Sequence, residues 1–224
     1  RYVQPALPRI RDLGLPLILQ DLALHRQGLV LVVGSTGCGK STSMAAMLQH
    51  RNEHVSCHIL TIEDPVEFYL ESRKSVVNQR ELGVDAVSYT AALKSALRAA
   101  PDVIMVGEVR DGDTLAATVE LAGTGHLVLA TLHANNAPQA LDRIANLYPP
   151  AQHAQLFLDL SLYLKAIVSQ RLVMGRDGHR LPAVEIMINT PYLAELIAKG
   201  QFDKTKPAMD DSTVPGMQDM NSVH

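Results

Sequence analysis

One stretch limits what this chain can fold into more than any other: Gly34-Ser35-Thr36-Gly37-Cys38-Gly39-Lys40-Ser41 satisfies G-x-x-x-x-G-K-[ST]. Its flanks matter as much as its letters. Gly28 introduces the apolar, β-branched run Leu29-Val30-Leu31-Val32-Val33, and residues 41–49 have helical composition, so the order is strand, loop, helix. In that order the glycines turn successive backbone N–H groups inward and the helix aims its positive end at the same point, which builds a cradle for phosphate oxygens. Ser35, Thr36, Gly37, Cys38, Gly39 and Thr42 are its candidate walls. Lys40 is the mobile counter-charge for the β and γ phosphates, and the Ser41 hydroxyl is placed to ligate Mg²⁺. ATP with Mg²⁺ is the expected ligand; a chance glycine-rich turn would not bring both flanking elements with it.

The remaining pattern is that of an α/β domain with a largely parallel sheet, in which apolar runs of strand length alternate with helical segments. Further strands are expected at residues 58–62, 76–78, 103–106 and 127–131, and helices near 90–98, 113–121 and 138–147. After Tyr148-Pro149-Pro150 the texture changes. Residues 151–169 read as one long helix with Leu156, Leu160, Tyr163, Leu164 and Ile167 on one face. Asp177-Gly178 then reads as the turn of a hairpin between residues 171–174 and 181–188, and Thr190-Pro191 as the N-cap and first residue of a helix to Lys199. The domain division expected is a linker over 1–25, an ATPase core over 26–148, a helical and hairpin portion over 149–200, and a polar tail over 201–224.

Composition narrows the function classes. The chain has 224 residues, 47% hydrophobic and 19% charged, with 20 Lys and Arg against 23 Asp and Glu for a net charge of -3. That length holds a full core, and the near balance of charge argues against a nucleic-acid partner held by phosphate neutralisation. The longest apolar runs, at 29–33 and 127–130, fall far short of the roughly 18 residues of a membrane span. No direct membrane insertion is expected. Cys38 and Cys57 make no disulfide framework and no secretory start is visible, which points to a reducing cytoplasm. Arg1 and the proline-rich start (Pro5, Pro8, Pro16) read as a linker arriving from something upstream.

A nucleotide hydrolase also needs carboxylates near the C-terminal ends of its strands. Two places qualify: Glu63-Asp64-Pro65-Val66-Glu67 after one strand, and Gly107-Glu108 after another. Three arginines are candidates for phosphate or subunit contacts: Arg80, Arg98 and Arg110, the last two flanking the Glu108 strand. His126 and His133 bracket the strand at 127–131, too far apart to share a metal and open either to a site near phosphate or to plain surface roles. His50-Arg51-Asn52-Glu53-His54 matches a zinc-protease pattern, yet it falls where the loop helix should end, in a polar stretch expected to be solvated. The Cys38 thiol, two residues before Lys40, is either activated by its electropositive surroundings or packed and inert.

Four blocks in order resemble the type IV pilus retraction ATPases of the PilT/PilU group, within the secretion ATPase superfamily. They are the loop at 34–41, an Asp box at 61–68, an atypical Walker B at 97–111, and a His box from Thr124-Gly125-His126 to Thr131-Leu132-His133. The resemblance runs from the linker to about Lys199, and residues 130–137, 159–162 and 165–168 look closer to the PilU side of the group. It implies a RecA-like P-loop core in which Lys40 and Ser41 serve phosphate and Mg²⁺, Glu108 helps hold the metal, Glu63 handles the water, and His126 and His133 sense the nucleotide state. It further implies a homohexamer at the inner face of a bacterial inner membrane, with PilT-like motor subunits and an inner-membrane pilus platform protein as partners. Gly123 departs from the Glu usual before Thr-Gly-His. Competing assignments are a pilus or type II secretion assembly ATPase, though the paired C-x-x-C zinc motif has no counterpart, and an ATP-sensing accessory subunit of a PilT-like motor. A small-molecule kinase lacks a recognisable acceptor pocket, and a GTPase lacks Asn-Lys-x-Asp.

Overall fold

The computed structural model describes residues 7–175 and 178–220. In chain order its elements are α1 (Ile18–Leu24), β1 (Gly28–Val33), α2 (Lys40–His54), β2 (His58–Glu63), β3 (Val76–Glu81), α3 (Tyr89–Ala99), β4 (Val103–Val106), α4 (Gly112–Gly123), β5 (Leu127–Leu132), α5 (Ala137–Asn146), α6 (His153–Tyr163), β6 (Leu164–Met174), β7 (Arg180–Ile188), α7 (Pro191–Ala198) and α8 (Thr205–Asp210). One seven-stranded sheet has the order β3-β2-β4-β5-β1-β6-β7. Its first six strands pair in parallel and β7 closes one edge antiparallel to β6.

A parallel sheet covered on both sides needs strands that are apolar on both faces. Every residue of β1, β4 and β5 is buried. Within β1, Leu29, Leu31 and Val33 belong to a core shared with α3 to α8, while Val30 and Val32 join α1 and α2 on the other face. Side-chain alternation along one strand thus glues two helical layers to the sheet.

Three expectations change. The helix expected over 151–169 ends at Tyr163, and Leu164 begins β6, whose residues 166–170 are fully covered between β1 and β7. Leu164 and Ile167 suit either period, and the β-branched Ile167-Val168 gains more by pairing with β1 than by extending α6. Asn189 seals the switch, its amide donating to the carbonyls of Ser161 (3.1 Å) and Leu164 (2.9 Å). The tail packs rather than trails. Phe202 and Met209 are buried, and Gln218 bridges to Ile186. Residues 10–24 are likewise seated, burying Ile10, Leu15, Leu19 and Leu22 against α2. Asp177 of the expected hairpin turn lies outside the described residues, whereas Thr190 caps α7 as expected by accepting from the Leu193 amide.

The H-x-x-E-H stretch is the last turn of α2, which runs past Gln49 to His54. It is not uniformly solvated. Arg51 and Asn52 are buried, Arg51 donating to the carbonyls of Ala23 (2.9 Å) and His25 (2.7 Å) and Asn52 donating to that of Glu71 (2.7 Å). His50 and His54 stack on each other with ring centroids 4.2 Å apart, and Glu53 accepts from Gln49.

Candidate active site

The C-terminal ends of β1, β2, β4 and β5 surround a cleft of about 440 Å³. The loop and α2 supply Thr36, Gly37, Gly39, Lys40, Ser41 and Thr42; the last residue of β2 and the turn after it supply Glu63, Asp64 and Glu67; the start of α3 supplies Tyr89; the turn after β4 supplies Glu108 and Arg110; and the end of β5 with the residue beyond it supplies Thr131 and His133. Parallel strands make this convergence, because β1, β2, β4 and β5 all end at the same edge of the sheet.

The loop turns at Gly37 (φ 77°) and Gly39 (φ 92°), left-handed conformations that glycine adopts without steric cost. Gly39 opens α2 with no side-chain cap, whereas α3, α4, α5 and α7 are each closed by a side-chain oxygen from Ser88, Asp111, Asn136 and Thr190. α1, α6 and α8 also lack a side-chain cap, but the first residues of this 15-residue helix line the cleft, an arrangement suited to an anion. Lys40 folds over the loop, its Nζ donating to the carbonyls of Gly34 and Ser35, both at 2.9 Å. The thiol of Cys38 is buried against Gly34, which decides its character: it packs, and only its backbone belongs to the loop surface.

Glu63 is the most enclosed acid of the cleft, 8% exposed. One carboxylate oxygen accepts from Thr61 Oγ1 at 2.6 Å and from Gln79 Nε2 at 3.2 Å. Burial pushes its pKa above the ordinary carboxylate value, and the Thr61 and Gln79 hydrogen bonds offset part of that rise. The result is a fixed carboxylate with an enhanced affinity for a proton. Glu108 differs. Its two oxygens are taken by Arg110 and by His133 Nε2, and the carboxylate raises the pKa of the guanidinium in return. Tyr89 is pushed up to about 12, first by burial and then by the nearby Asp64, so it remains a donor.

The expected site residues divide cleanly. Lys40, Ser41, Thr42, Glu63, Glu108, Arg110 and His133 meet in the cleft. His126 sits at the opposite end of β5, its Nδ1 3.0 Å from the Leu121 carbonyl and 3.2 Å from Thr124 Oγ1. Arg80 donates to Ser95 Oγ at 2.7 Å and ties β3 to α3, and Arg98 is exposed in the last turn of α3. Tyr89, Thr131, Thr61, Gln79 and Gln170 take part in or around the cleft without having been candidates from the sequence. Thr61 was within reach, since it lies two positions before Glu63 on the same strand face. Thr131 donates to the Gly107 carbonyl and holds the Glu108 turn to β5. At Gly123, a Cβ would stand 2.6 Å from a ring carbon of Tyr163, so the ring occupies the space a larger residue would need.

A loop that leaves an uncapped helix facing a buried carboxylate on the next strand but two, within this sheet order, defines a RecA-like ATPase core. The site also fits Mg²⁺ at Ser41, whose hydroxyl has no protein partner among the described residues, better than at Glu108, whose oxygens already meet the Arg110 guanidinium and the His133 ring. The chain belongs to the Type II/IV secretion system protein family, whose profile matches residues 15–190. It is 51% identical over 219 residues to the type IV pilus ATPase PilU of Pseudomonas aeruginosa, an alignment covering 97% of this chain and 57% of that protein. The retraction ATPase PilT of the same organism is 42% identical over 221 residues, covering 99% and 64%. Among solved structures, the pilus retraction motor PilT with bound ADP superposes with a TM-score of 0.90 at 41% identity, covering 94% of this chain and 61% of that one. The Legionella pneumophila ATPase DotB follows at TM-score 0.87 and 27% identity, covering 98% and 61%. The chain thus spans a little under two thirds of these relatives. Among the described residues no helix is long and apolar enough to cross a membrane.

Proposed function

We propose that this chain is the ATP-hydrolysing core of a type IV pilus motor subunit. The observation that carries the proposal is the pairing, in one cleft, of an uncapped glycine-loop helix with the buried, hydrogen-bonded Glu63. Lys40 exchanges the carbonyls of Gly34 and Ser35 for phosphate oxygens and neutralises them. Ser41 supplies a hydroxyl to Mg²⁺, which when bound withdraws charge from the phosphates. Glu63, held by Thr61 and Gln79, orients the attacking water and takes its proton. Tyr89 donates into the same space, and Arg110 brings a cation that Glu108 and His133 keep in place.

Likeness to PilU and PilT supports retraction as the work done, a homohexamer as the assembly, and PilT-like subunits and an inner-membrane pilus platform protein as partners, at the cytoplasmic face of a bacterial inner membrane. The ion-paired state of Glu108 favours a second assignment for the chain by itself: a nucleotide-responsive unit that turns over slowly until a neighbour rearranges that cluster. Phosphate release with Mg²⁺-ATP, compared between wild type and Glu63→Gln, tests both. Release abolished in the variant supports hydrolysis at this site. Binding without release in the wild type supports the responsive unit.

A further inference from the structure

The loop's glycines answer to a strand as well as to phosphate. A Cβ at Gly37 would meet nothing within 4 Å, but one at Gly34 would lie 2.4 Å from the Gln170 carbonyl oxygen, and one at Gly39 would lie 2.9 Å from Gln170 Nε2. Gln170 stands on β6, one residue beyond the Val33–Ser169 pair, so it projects just past the point where β1 becomes the loop. It is 3% exposed. Its Nε2 donates to the Cys38 carbonyl at 2.8 Å and its Oε1 accepts from Ser43 Oγ at 2.7 Å. One buried carboxamide therefore clamps the loop to the first turn of α2.

Peptide geometry turns that clamp into a chemical statement. In a planar trans peptide the C=O of one residue and the N–H of the next point in opposite directions. Holding the Cys38 carbonyl against β6 forces the Gly39 N–H the other way, toward the cleft that Gly39 lines. We propose that Gln170 is the positioning residue of the phosphate cradle, fixing the Cys38–Gly39 peptide with its N–H presented to the phosphates of a nucleotide. This rests on the assignment of the cleft as a nucleotide site. The Cys38 carbonyl is the acceptor that Gln170 removes from the cradle; without it, the peptide is free to flip and present an oxygen to an anion.

The test is ADP affinity by calorimetry, with thermal unfolding recorded alongside, in four forms of the chain. Gln170→Glu keeps an acceptor for Ser43 but sets a carboxylate against the Cys38 carbonyl, and Gln170→Met keeps the volume with neither bond. Each is expected to weaken ADP binding by about tenfold or more, the worth of one charge-assisted amide contact. Ser43→Ala, which spares the Cys38 bond, is expected to change it less than about threefold. A role in folding alone would lower the unfolding temperature of all three together and leave the affinity of the folded protein unchanged. Folded Gln170 variants that bind ADP within twofold of wild type overturn the proposal while leaving the nucleotide site standing. A wild type that binds no ADP overturns the site assignment and this proposal with it. Should neither Gln170 variant unfold cooperatively, a crystal structure of the wild type with ADP decides: the Gln170–Cys38 bond kept and the Gly39 amide on a phosphate oxygen supports the proposal, and a broken bond overturns it.

Discussion

The two ends of β5 carry the same residue type to different purposes. At its C-terminal end His133 meets the Glu108 carboxylate beside Arg110, inside the cleft. At its N-terminal end His126 meets the Leu121 carbonyl and Thr124. The neighbourhood of each follows suit. Asp102, also at the N-terminal edge, spends its carboxylate on the His58 amide at 2.8 Å, repairing backbone, while Glu63 and Glu108 at the other edge both line the cleft. In a parallel sheet, position along the strand decides whether a polar side chain mends the fold or does chemistry.

The comparison breaks first at Lys40. Lys40→Ala should lower ATP and ADP affinity on the order of 100-fold by deleting the phosphate counter-charge, and equal calorimetric affinities would contradict it. Glu63→Gln should retain Mg²⁺-ATP binding yet lose turnover by about 10²-fold or more, because the isostere cannot accept a proton. The same variant has a stability signature. Burial raises the Glu63 pKa above its unfolded value, so the stability it lends is complete below the unfolded value and is lost as pH rises through the folded one. Gln is spared that loss, and thermal unfolding across this window should show the variant's advantage growing with pH and then levelling off.

Next come the two histidines. His133→Ala frees one oxygen of Glu108, the other staying on Arg110, and should change turnover by roughly tenfold, while His126→Ala should change it less than twofold. A reversed order of effects would mean that the far end of β5 takes part in the reaction. The smallest effect is expected at Gly123, where Gly123→Glu should cost about 1–3 kcal/mol of stability against the Tyr163 ring and leave ADP affinity unchanged. Adding Tyr163→Ala should recover part of the loss in a denaturant melt.

What the sequence disclosed was local. The loop, its strand and its helix occupy 27 consecutive residues, from Gly28 to His54, and each signal lies beside the next. Glu63 and Glu108 were legible because strand ends in an α/β sheet have a known place. Gln170 was not: its partners Ser43 and Cys38 lie 127 and 132 positions away, and nothing in Ser169-Gln170-Arg171 marks it out. The end of α6 was misjudged for a related reason. Leu160, Leu164 and Ile167 fit a helical stripe, and only the unoccupied edge of β1 makes a strand the better use of them. The buried Phe202 and Met209 gave too sparse a pattern to reveal a packed tail.

Arg51 gives α2 a mechanical character. The helix of 15 residues is a rod about 22 Å long, with the phosphate loop at one tip and, near the other, a buried guanidinium gripping the carbonyls of Ala23 and His25. A pivot of about 3° at the loop tip swings the opposite tip by about 1 Å. A nucleotide that tilted α2 at the loop would, through this grip, reach α1 as displacement rather than as charge. Paired spin labels at the exposed Asp21 of α1 and Asp142 of α5, read with and without ADP, measure the stroke of that lever.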